Sequence, residues 1–340
     1  MGRTTIIDIA RRANVSTATV DRALNGRDGC SPSNRQRVLQ AAKELGYLSS
    51  EGMVPLPSRP AHLEFFIPFV SNGFMHELVD GITSFAASLP LVASCNVTPM
   101  PGIGVDDLLQ ALERVELRTN GVGVVTIDHP KTRHAIRRLC EAGVRVVTIA
   151  SDVLSTPRSA YVGVDNVVAG RTAALIMGLM AGRSQGEIAL FLGSREFHGH
   201  REREFGFRAL LEHQFDGLTI LPALETGEDS ERSRAAMVTL LRTRPDLAGV
   251  YCVGAGRTGI AQALQSAAGK RPFVILHDLT ESTRSWLVDD LIDVIIDQNA
   301  RLVGEQAVIR LLGSIATNSP LLMQKNIEPR IILRENVPLR

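Results

Sequence analysis

Three short helices are predicted at the start of the chain from the spacing of its apolar residues. Apolar side chains recur at helical intervals first at Ile6, Ile9, Ala10 and Ala13. The same period continues over about 17–24 and about 32–45. Asn14 tolerates the left-handed conformation that ends a helix, and Ser16 and Ser31 have N-cap chemistry. These signals predict two short helices joined by a tight turn, with a third helix packed against them.

From residue 62 onward, short apolar runs alternate with segments of helical period. The runs predict strands over Leu63–Phe69, Val122–Ile127, Val144–Ile149, Glu187–Leu192, Gly249–Val253, Phe273–Leu276 and Val294–Ile296. The segments between them predict helices over Met75–Ser88, Val105–Leu117, Lys131–Ala142, Ala169–Ala181, Arg203–His213, Ser230–Arg242 and Ala300–Leu312. This alternation is typical of an α/β fold, a doubly wound parallel sheet with helices on both faces. The region is long enough for two lobes.

Three parts of the chain follow from this pattern. We predict a headpiece over 1–49, a linker over 50–61 and a two-lobed domain over 62–340. Pro55, Pro57 and Pro60 make a helical linker improbable, because proline lacks a backbone donor and favours extended geometry in the residue before it. The predicted lobes are about 62–160 with 299–318, and about 161–298 with 319–340.

Charge is distributed unevenly between these parts. Residues 1–50 carry eight Lys or Arg and four Asp or Glu, a formal charge of +4, although the whole chain sums to only +1. A small basic head on a slightly acidic body suits a module that binds a polyanion. The four cysteines are far apart, without metal-ligand spacing, and fit free thiols in a reducing compartment.

The second predicted helix has the chemistry of a DNA-reading helix. Small residues at Thr17, Ala18 and Thr19 allow close approach to base edges, and Arg22 can make a bidentate contact to guanine. Arg3, Arg35 and Arg37 are candidates to hold phosphates. The pattern alone is also compatible with a three-helix protein-interaction module. The full set of predicted DNA-binding residues is Arg3, Ser16, Thr17, Ala18, Thr19, Arg22, Asn25 and Arg35.

A family resemblance strengthens the DNA-binding interpretation. The run TTIIDIARRANVSTATVDRALNG, followed by RQRVLQAAKELGY, resembles the helix-turn-helix headpiece of the lactose-repressor family almost position by position. The resemblance implies that Thr17, Ala18 and Arg22 read bases. Members commonly carry a hinge helix after the headpiece, with a leucine that enters the minor groove. The prolines here argue against that helix and against such a role for Leu56.

Polar residues directly follow several predicted strands. Open α/β sheets bind their ligands beyond the carboxyl ends of the strands. The remaining motifs resemble the type I periplasmic sugar-binding fold, which this family carries as its effector domain. They are YVGVDNVVAGRTAA, HGHREREFGFRALL and HDLTE with the later DQNARLVGEQAV. The resemblance implies a pocket between the lobes for a small polar ligand, expected to be a sugar or polyol. The predicted ligand-binding residues are Asn72, Phe74, Asp128, Asp152, Arg201, Gly254, Asp278 and Gln298.

Single features of the sequence also suggest other functions. Gly254–Gly259 spells GxGxxG after a strand, so an NAD-binding redox sensor is one alternative, although the motif lies late in the chain. A transport sugar-binding protein is another, disfavoured by the headpiece and by a start without a secretory apolar stretch. No HExxH, GxSxG or P-loop indicates an enzyme.

The sequence therefore predicts a cytoplasmic DNA-binding transcription regulator, expected to be a repressor of carbohydrate or polyol genes. Its expected partners are operator DNA, a small effector and a second copy of the chain, with a tetramer as the alternative to a dimer. No cofactor, catalytic residue, metal or membrane contact is expected.

Overall fold

The headpiece consists of three helices, as predicted. The computed structural model describes residues 5–24, 30–45, 47, 53–55, 57, 59–68, 72–102, 104–180, 185–254, 256–316, 320–323 and 327–338. The three helices of the headpiece are α1 (Ile6–Ala13), α2 (Thr17–Leu24) and α3 (Pro32–Glu44). Asn14 ends α1 in the left-handed conformation, with φ of 51°. The Ser16 hydroxyl accepts a hydrogen bond from the Thr19 amide at 3.1 Å. Ile9, Val20 and Val38 are inaccessible to solvent and form the small core.

The described part of the linker is extended, as predicted, but it is paired as a strand. Strand β1 (Met53–Pro55) lies antiparallel to β13 (Pro320–Met323) near the end of the chain. Leu56 lies outside the described residues.

The first lobe is a five-stranded parallel sheet covered on both faces. Its strands are β2 (Ala61–Pro68), β3 (Val92–Met100), β4 (Gly121–Val124), β5 (Arg145–Ile149) and β6 (Ala160–Val162), in the spatial order β3-β2-β4-β5-β6. Its helices are α4 (Gly73–Ala87), α5 (Val105–Leu112), α6 (Pro130–Glu141) and α12 (Ala300–Ile315). Neighbouring residues of a strand point to opposite faces, so Phe65 packs with α4 and α12 while Phe66 packs with α5 and α6.

The second lobe is a larger sheet with the spatial order β14-β12-β11-β10-β7-β8, in which β9 also pairs with β7. Its strands are β7 (Gly186–Leu192), β8 (Leu218–Ile220), β9 (Leu224–Glu225), β10 (Gly249–Cys252), β11 (Phe273–His277), β12 (Val294–Asp297) and the antiparallel β14 (Arg330–Ile332). Its helices are α7 (Asn166–Met180), α8 (His198–Gln214), α9 (Ser230–Thr243), α10 (Arg257–Ser266) and α11 (Glu281–Val288), and a 3-10 turn spans Arg334–Asn336. The predicted fold class is confirmed.

All seven predicted strands are present, but the edge strands were missed. The longest of them, β3, has mostly half-buried and exposed residues and only one buried position, Met100. It therefore lacks the continuous apolar run that marks an interior strand of a parallel sheet. Helix α8 begins at His198, five residues before its predicted start. Its first four residues are two histidines, a glycine and an arginine, so they show no apolar residue at helical spacing.

Candidate functional site

A cleft lies between the two lobes, with a volume of about 580 Å³ including the space open to solvent. The cleft is lined by residues that follow the carboxyl ends of β2, β4 and β5 in the first lobe and of β7, β10, β11 and β12 in the second. Parallel strands collect such residues at one edge of each sheet. The lining residues are Asn72, Phe74, Met75, Val125, Ala150, Ser151, Phe197, Gly199, His200, Arg203, Glu228, Val253, Gly254, Arg257, Asp278 and Gln298.

A linked set of three polar side chains forms part of the second-lobe wall. Arg257 Nη1 donates to Asp278 Oδ2 at 2.9 Å and also to the carbonyl of His277. Gln298 Nε2 donates to Asp278 Oδ1 at 2.8 Å. This bond fixes the amide so that its oxygen is the free acceptor. Gln298 Oε1 is buried and has no hydrogen-bond partner in the described chain. A buried acceptor in this state calls for a donor such as a ligand hydroxyl.

Arg203 brings a second cation to the cleft. It is 4% exposed, and it donates from Nε to Asn166 Oδ1 at 2.8 Å and from Nη1 to the Val253 carbonyl at 3.0 Å. Its Nη2 atom donates to no residue in the described chain, and no carboxylate pairs with it there. A guanidinium with unused planar donors suits pairs of ligand oxygens.

A histidine and a carboxylate lie beside Arg203. His200 Nδ1 is 3.7 Å from Glu228 Oε1 and 3.1 Å from the Ser194 carbonyl oxygen. Burial and the charge of Arg203 lower the pKa of His200 to about 3. The imidazole is therefore neutral at neutral pH, and it offers the cleft a dipole rather than a charge.

Apolar side chains face these charges from the other side of the cleft. Phe74, Met75 and Val125 come from the first lobe, and Phe197 packs into the same core from the start of α8. An aromatic and aliphatic wall opposite a polar wall suits a ring with an apolar face and a rim of hydroxyls.

The lobes touch across the cleft at Asn72. This residue caps α4, since its Oδ1 accepts from the Phe74 amide at 3.0 Å. The same oxygen accepts from Arg257 Nη2 at 3.4 Å, a long bond between the lobes. Asn72 therefore connects the start of α4 to the polar wall of the second lobe.

Five of the eight predicted ligand-binding residues line the cleft: Asn72, Phe74, Gly254, Asp278 and Gln298. The other three, Asp128, Asp152 and Arg201, do not. Asp128 accepts two bonds from Arg133, at 2.7 and 2.8 Å, and Asp152 is paired with Arg158 and bonded to Thr148. Both carboxylates therefore pair with arginines of the same lobe and do not line the cleft.

The arginine that α8 brings to the cleft is Arg203, two residues beyond the predicted Arg201. Arg201 Nη1 donates to the Arg195 carbonyl at 2.8 Å, and its Nη2 lies 3.7 Å from Asp128. Helical spacing carries the signal that was missed. Arg203 precedes Gly206 and Phe207 by three and four residues, so all three share the buried face of α8. Arg257 was also missed, because it opens the unpredicted helix α10.

The glycines of the GxGxxG run have packing roles. A Cβ on Gly254 would lie 2.7 Å from His200 Cε1 and 2.8 Å from Glu228 Oε1. A Cβ on Gly259 would lie 1.8 Å from the Ser230 carbonyl oxygen, where α10 meets α9. Gly256 has φ of 84°. These packing needs account for the three glycines without a dinucleotide. Gly254 also lines the cleft.

The headpiece presents the predicted reading helix to solvent. Ser16, Thr17, Ala18 and Arg22 are exposed, whereas Thr19 is half-buried with its hydroxyl 2.9 Å from that of Ser16. Arg35 is half-buried. Arg37, a phosphate candidate, instead donates to the carbonyls of Ala13 and Asn14 at 2.7 and 2.8 Å and so caps α1. Arg3 and Asn25, also predicted to contact DNA, lie outside the described residues.

Neither a metal cluster nor a membrane-spanning helix is found in the part of the chain that the structure describes. Within the described ranges, no three or more His, Cys, Asp or Glu side chains are grouped to hold a metal ion. None of the helices in that part of the chain is both long and apolar enough to span a bilayer.

Comparison with known proteins relates both parts of the chain to described families. Residues 63–314 match the periplasmic binding protein domain, and residues 5–50 match the bacterial regulatory proteins of the lacI family. Catabolite control protein A of Priestia megaterium is 41% identical over 83 residues, 24% of this chain and 25% of that protein. The HTH-type transcriptional regulator DegA of Bacillus subtilis is 26% identical over 215 residues, 62% of this chain and 61% of that protein. The matched regions thus span between a quarter and about three fifths of these relatives.

A solved structure has the fold of the two-lobed domain. GanP, a glucose-galactose binding protein from Geobacillus stearothermophilus, superposes with a TM-score of 0.74 at 20% identity. The match covers 83% of this chain and 100% of that one. The headpiece matches the regulatory proteins and the two-lobed domain matches the periplasmic binding proteins.

Proposed function

The chain belongs to the lacI family of bacterial regulatory proteins, with a periplasmic binding protein domain behind its headpiece, and on that premise we propose that it is a DNA-binding transcription regulator controlled by a sugar or polyol. The observation that carries the proposal is the exposed face of α2. Thr17, Ala18 and Arg22 take no part in the headpiece core, yet they stand together on the helix that the fold can insert into a major groove.

Specific readout rests on Arg22 in this proposal. A guanidinium at this place can donate two bonds to one guanine, and the small side chains of Thr17 and Ala18 let the helix approach the bases. Arg35 and further basic residues of the headpiece hold phosphates, which set orientation without reading sequence. Two copies of the chain, paired through their effector domains, place two headpieces on the half-sites of a pseudo-palindromic operator.

The effector site is the cleft between the lobes. Arg203 and Arg257 supply donors, Asp278 and Gln298 supply acceptors, and Phe74 supplies a ring face. GanP is a glucose-galactose binding protein, which supports a sugar ligand for a cleft of the same fold. The ligand acts by its different affinity for open and closed lobes, because only such a difference can shift operator affinity. We propose that the bound effector releases DNA, as for a repressor of carbohydrate genes in the cytoplasm.

The test of DNA binding uses the full-length chain. Duplexes are selected from a randomised pool, and the affinity for the recovered sequence is measured by fluorescence anisotropy at several salt concentrations. Arg22→Ala is expected to cost about 1–3 kcal/mol, roughly 5- to 150-fold, and to relax preference at one base pair. Arg11→Ala, on a side chain 79% exposed on α1, is the matched control and should keep that preference. Recovery of no common sequence would overturn the proposal.

The test of the effector uses the same complex. Sugars and polyols are screened for a raised midpoint of thermal unfolding, because a ligand that binds only the native state stabilises it by mass action. Hits are then added to the protein–operator complex, where release of DNA is the expected result. If the chain binds DNA but no sugar or polyol stabilises it, the sugar part of the proposal is wrong and the DNA part stands.

A further inference from the structure

A second and larger cavity lies directly beside the cleft. Its volume is about 1090 Å³ including the space open to solvent, and Asn72, Glu228 and Arg257 line both cavities. The other walls come from the first turns of α4, α9, α10 and α11. These three shared residues therefore form the wall between the two spaces. The Asn72–Arg257 hydrogen bond in this dividing wall is 3.4 Å long, so it is weak and easily displaced.

The second cavity contains the only tryptophan of the chain. Trp286 is half-buried, packs on one side against the core of the second lobe and also lines the cavity. Part of Trp286 remains accessible from the cavity. A tryptophan with an accessible face is a large apolar surface with fixed orientation.

Hydroxyl-bearing side chains line the same cavity as that ring. Ser230, Thr258 and Ser282 line the cavity, and their side-chain oxygens form no hydrogen bond with any residue in the part of the chain that the structure describes. Arg257 and Glu228 add a donor and an acceptor at the wall shared with the first cleft. An aromatic face with a rim of unengaged hydroxyls recognises a sugar ring through its apolar face and its edge hydroxyls.

Resting on the proposed function, we propose that this cavity is a second sugar subsite and that the effector is a disaccharide or glycoside. One ring occupies the cleft at Asp278 and Gln298, and the next ring lies against Trp286. The link between the rings passes the dividing wall by displacing the long Asn72–Arg257 bond. A single sugar ring would fill only the first cleft and leave the surface of Trp286 uncovered.

Intrinsic fluorescence gives a direct test, because Trp286 is the sole tryptophan. The full-length chain is titrated with maltose, cellobiose, lactose and melibiose, and with glucose and galactose, while tryptophan emission and calorimetric heat are recorded. At least one disaccharide is expected to shift or quench the emission and to bind at least tenfold more tightly than its constituent monosaccharides. Monosaccharides that bind should leave the emission unchanged.

Variants separate the subsite from the cleft. Trp286→Leu should weaken disaccharide binding by about tenfold and leave monosaccharide binding within twofold, and Trp286→Phe should retain most of the affinity. Ser282→Leu, on an exposed position of the rim, should act selectively too if Trp286→Leu fails to fold. Val288→Ala, 52% exposed on the same helix, is the control.

The outcomes distinguish the two proposals. Equal affinity for monosaccharides and disaccharides, with no change in tryptophan emission, would overturn the second subsite and leave the sugar sensor standing. Absence of any sugar binding, by heat or by thermal stabilisation, would overturn both.

Discussion

The Nη1 atom of Arg257 lies 2.9 Å from the Oδ2 atom of Asp278, and the two side chains are only 8% and 12% exposed. A buried ion pair gains little stability over an apolar pair, because both charges lose their hydration. Breaking one is costly, since the other charge then remains buried and unpaired. Asp278 also has φ of 66°, in the left-handed region that residues with a Cβ rarely adopt. A strained backbone and a buried charge at the same residue indicate that Asp278 has a functional role in the cleft.

We therefore expect Asp278→Ala to impair both stability and effector binding. Loss of the carboxylate leaves the buried Arg257 charge unpaired and removes the acceptor of the Gln298 amide. The free energy of unfolding should therefore fall by about 3–5 kcal/mol. Urea titration of the full chain measures this change. Asp106→Ala is the control, because its side chain is 93% exposed, and its effect should stay within about 0.5 kcal/mol. Equal effects of the two substitutions would contradict the assignment.

The two arginines on α8 should differ in their effect on the effector. Arg203→Gln removes the guanidinium that lines the cleft and is expected to weaken effector binding at least tenfold. Arg201→Gln removes contacts to Arg195, His198 and Asp128, none of which lines the cleft, and should stay within twofold. Calorimetry with the effector found by screening measures both variants. A larger loss for Arg201→Gln would restore our initial prediction from the motif.

The headpiece was predictable because its information is local. Asn14, Ser16 and the apolar period each act within one or two helical turns, and the observed helices begin and end where these signals indicated. The strand order of the lobes was not predictable in this way, because edge strands such as β3 are held by neighbours distant in the chain.

The cleft was predictable only in part, for a related reason. Asp278 and Gln298 line the cleft because each is the residue directly after its strand, β11 or β12. Asp128 follows the predicted strand Val122–Ile127 in the same way, but β4 ends at Val124, and Arg133 of the next helix pairs with Asp128. Whether a carboxylate meets an arginine of its own chain or a ligand depends on side-chain positions that spacing does not encode.

Closure of the lobes should be sensitive to the size of residue 73. A Cβ on Gly73 would lie 2.9 Å from Thr280 Cγ2, across the boundary between the lobes. Gly73→Ala is therefore expected to hinder closure and to weaken effector binding by about 1–2 kcal/mol, roughly 5- to 30-fold. Thr280→Ser removes that methyl group and keeps the hydroxyl that caps α11. The double variant should recover much of the affinity in calorimetry, and no recovery would place the cause within α4 itself.

Arg37 should stabilise the headpiece without reading DNA. Its guanidinium donates to the last carbonyls of α1, at Ala13 and Asn14. Arg37→Met should lower the free energy of opening α1 by about 1–3 kcal/mol, which speeds exchange of its amides roughly 5- to 150-fold. Hydrogen exchange of the full chain followed by mass spectrometry measures this. Arg11→Met is the control, and equal exchange in the two variants would contradict the capping role.

The stability of the second lobe should fall on mild acidification because of His200. Burial, together with the nearby Arg203 charge, lowers the pKa of this imidazole to about 3 in the folded protein, against about 6.5 in an unfolded chain. Above pH 6.5 neither state binds the proton, so stability does not depend on it. Between pH 6.5 and 3 the unfolded state binds a proton that the folded state excludes, and stability falls by up to about 1.4 kcal/mol per pH unit.

His277 contributes in the same direction, because burial lowers its pKa too. His200→Gln should therefore reduce the slope of unfolding free energy against pH by about one proton without abolishing it. His213→Gln, on an exposed residue at the end of α8, is the matched control. Urea titrations of both variants between pH 4.5 and 7.5 measure the slope. An unchanged slope in His200→Gln would mean that the imidazole takes up its proton in the folded state, beside Glu228.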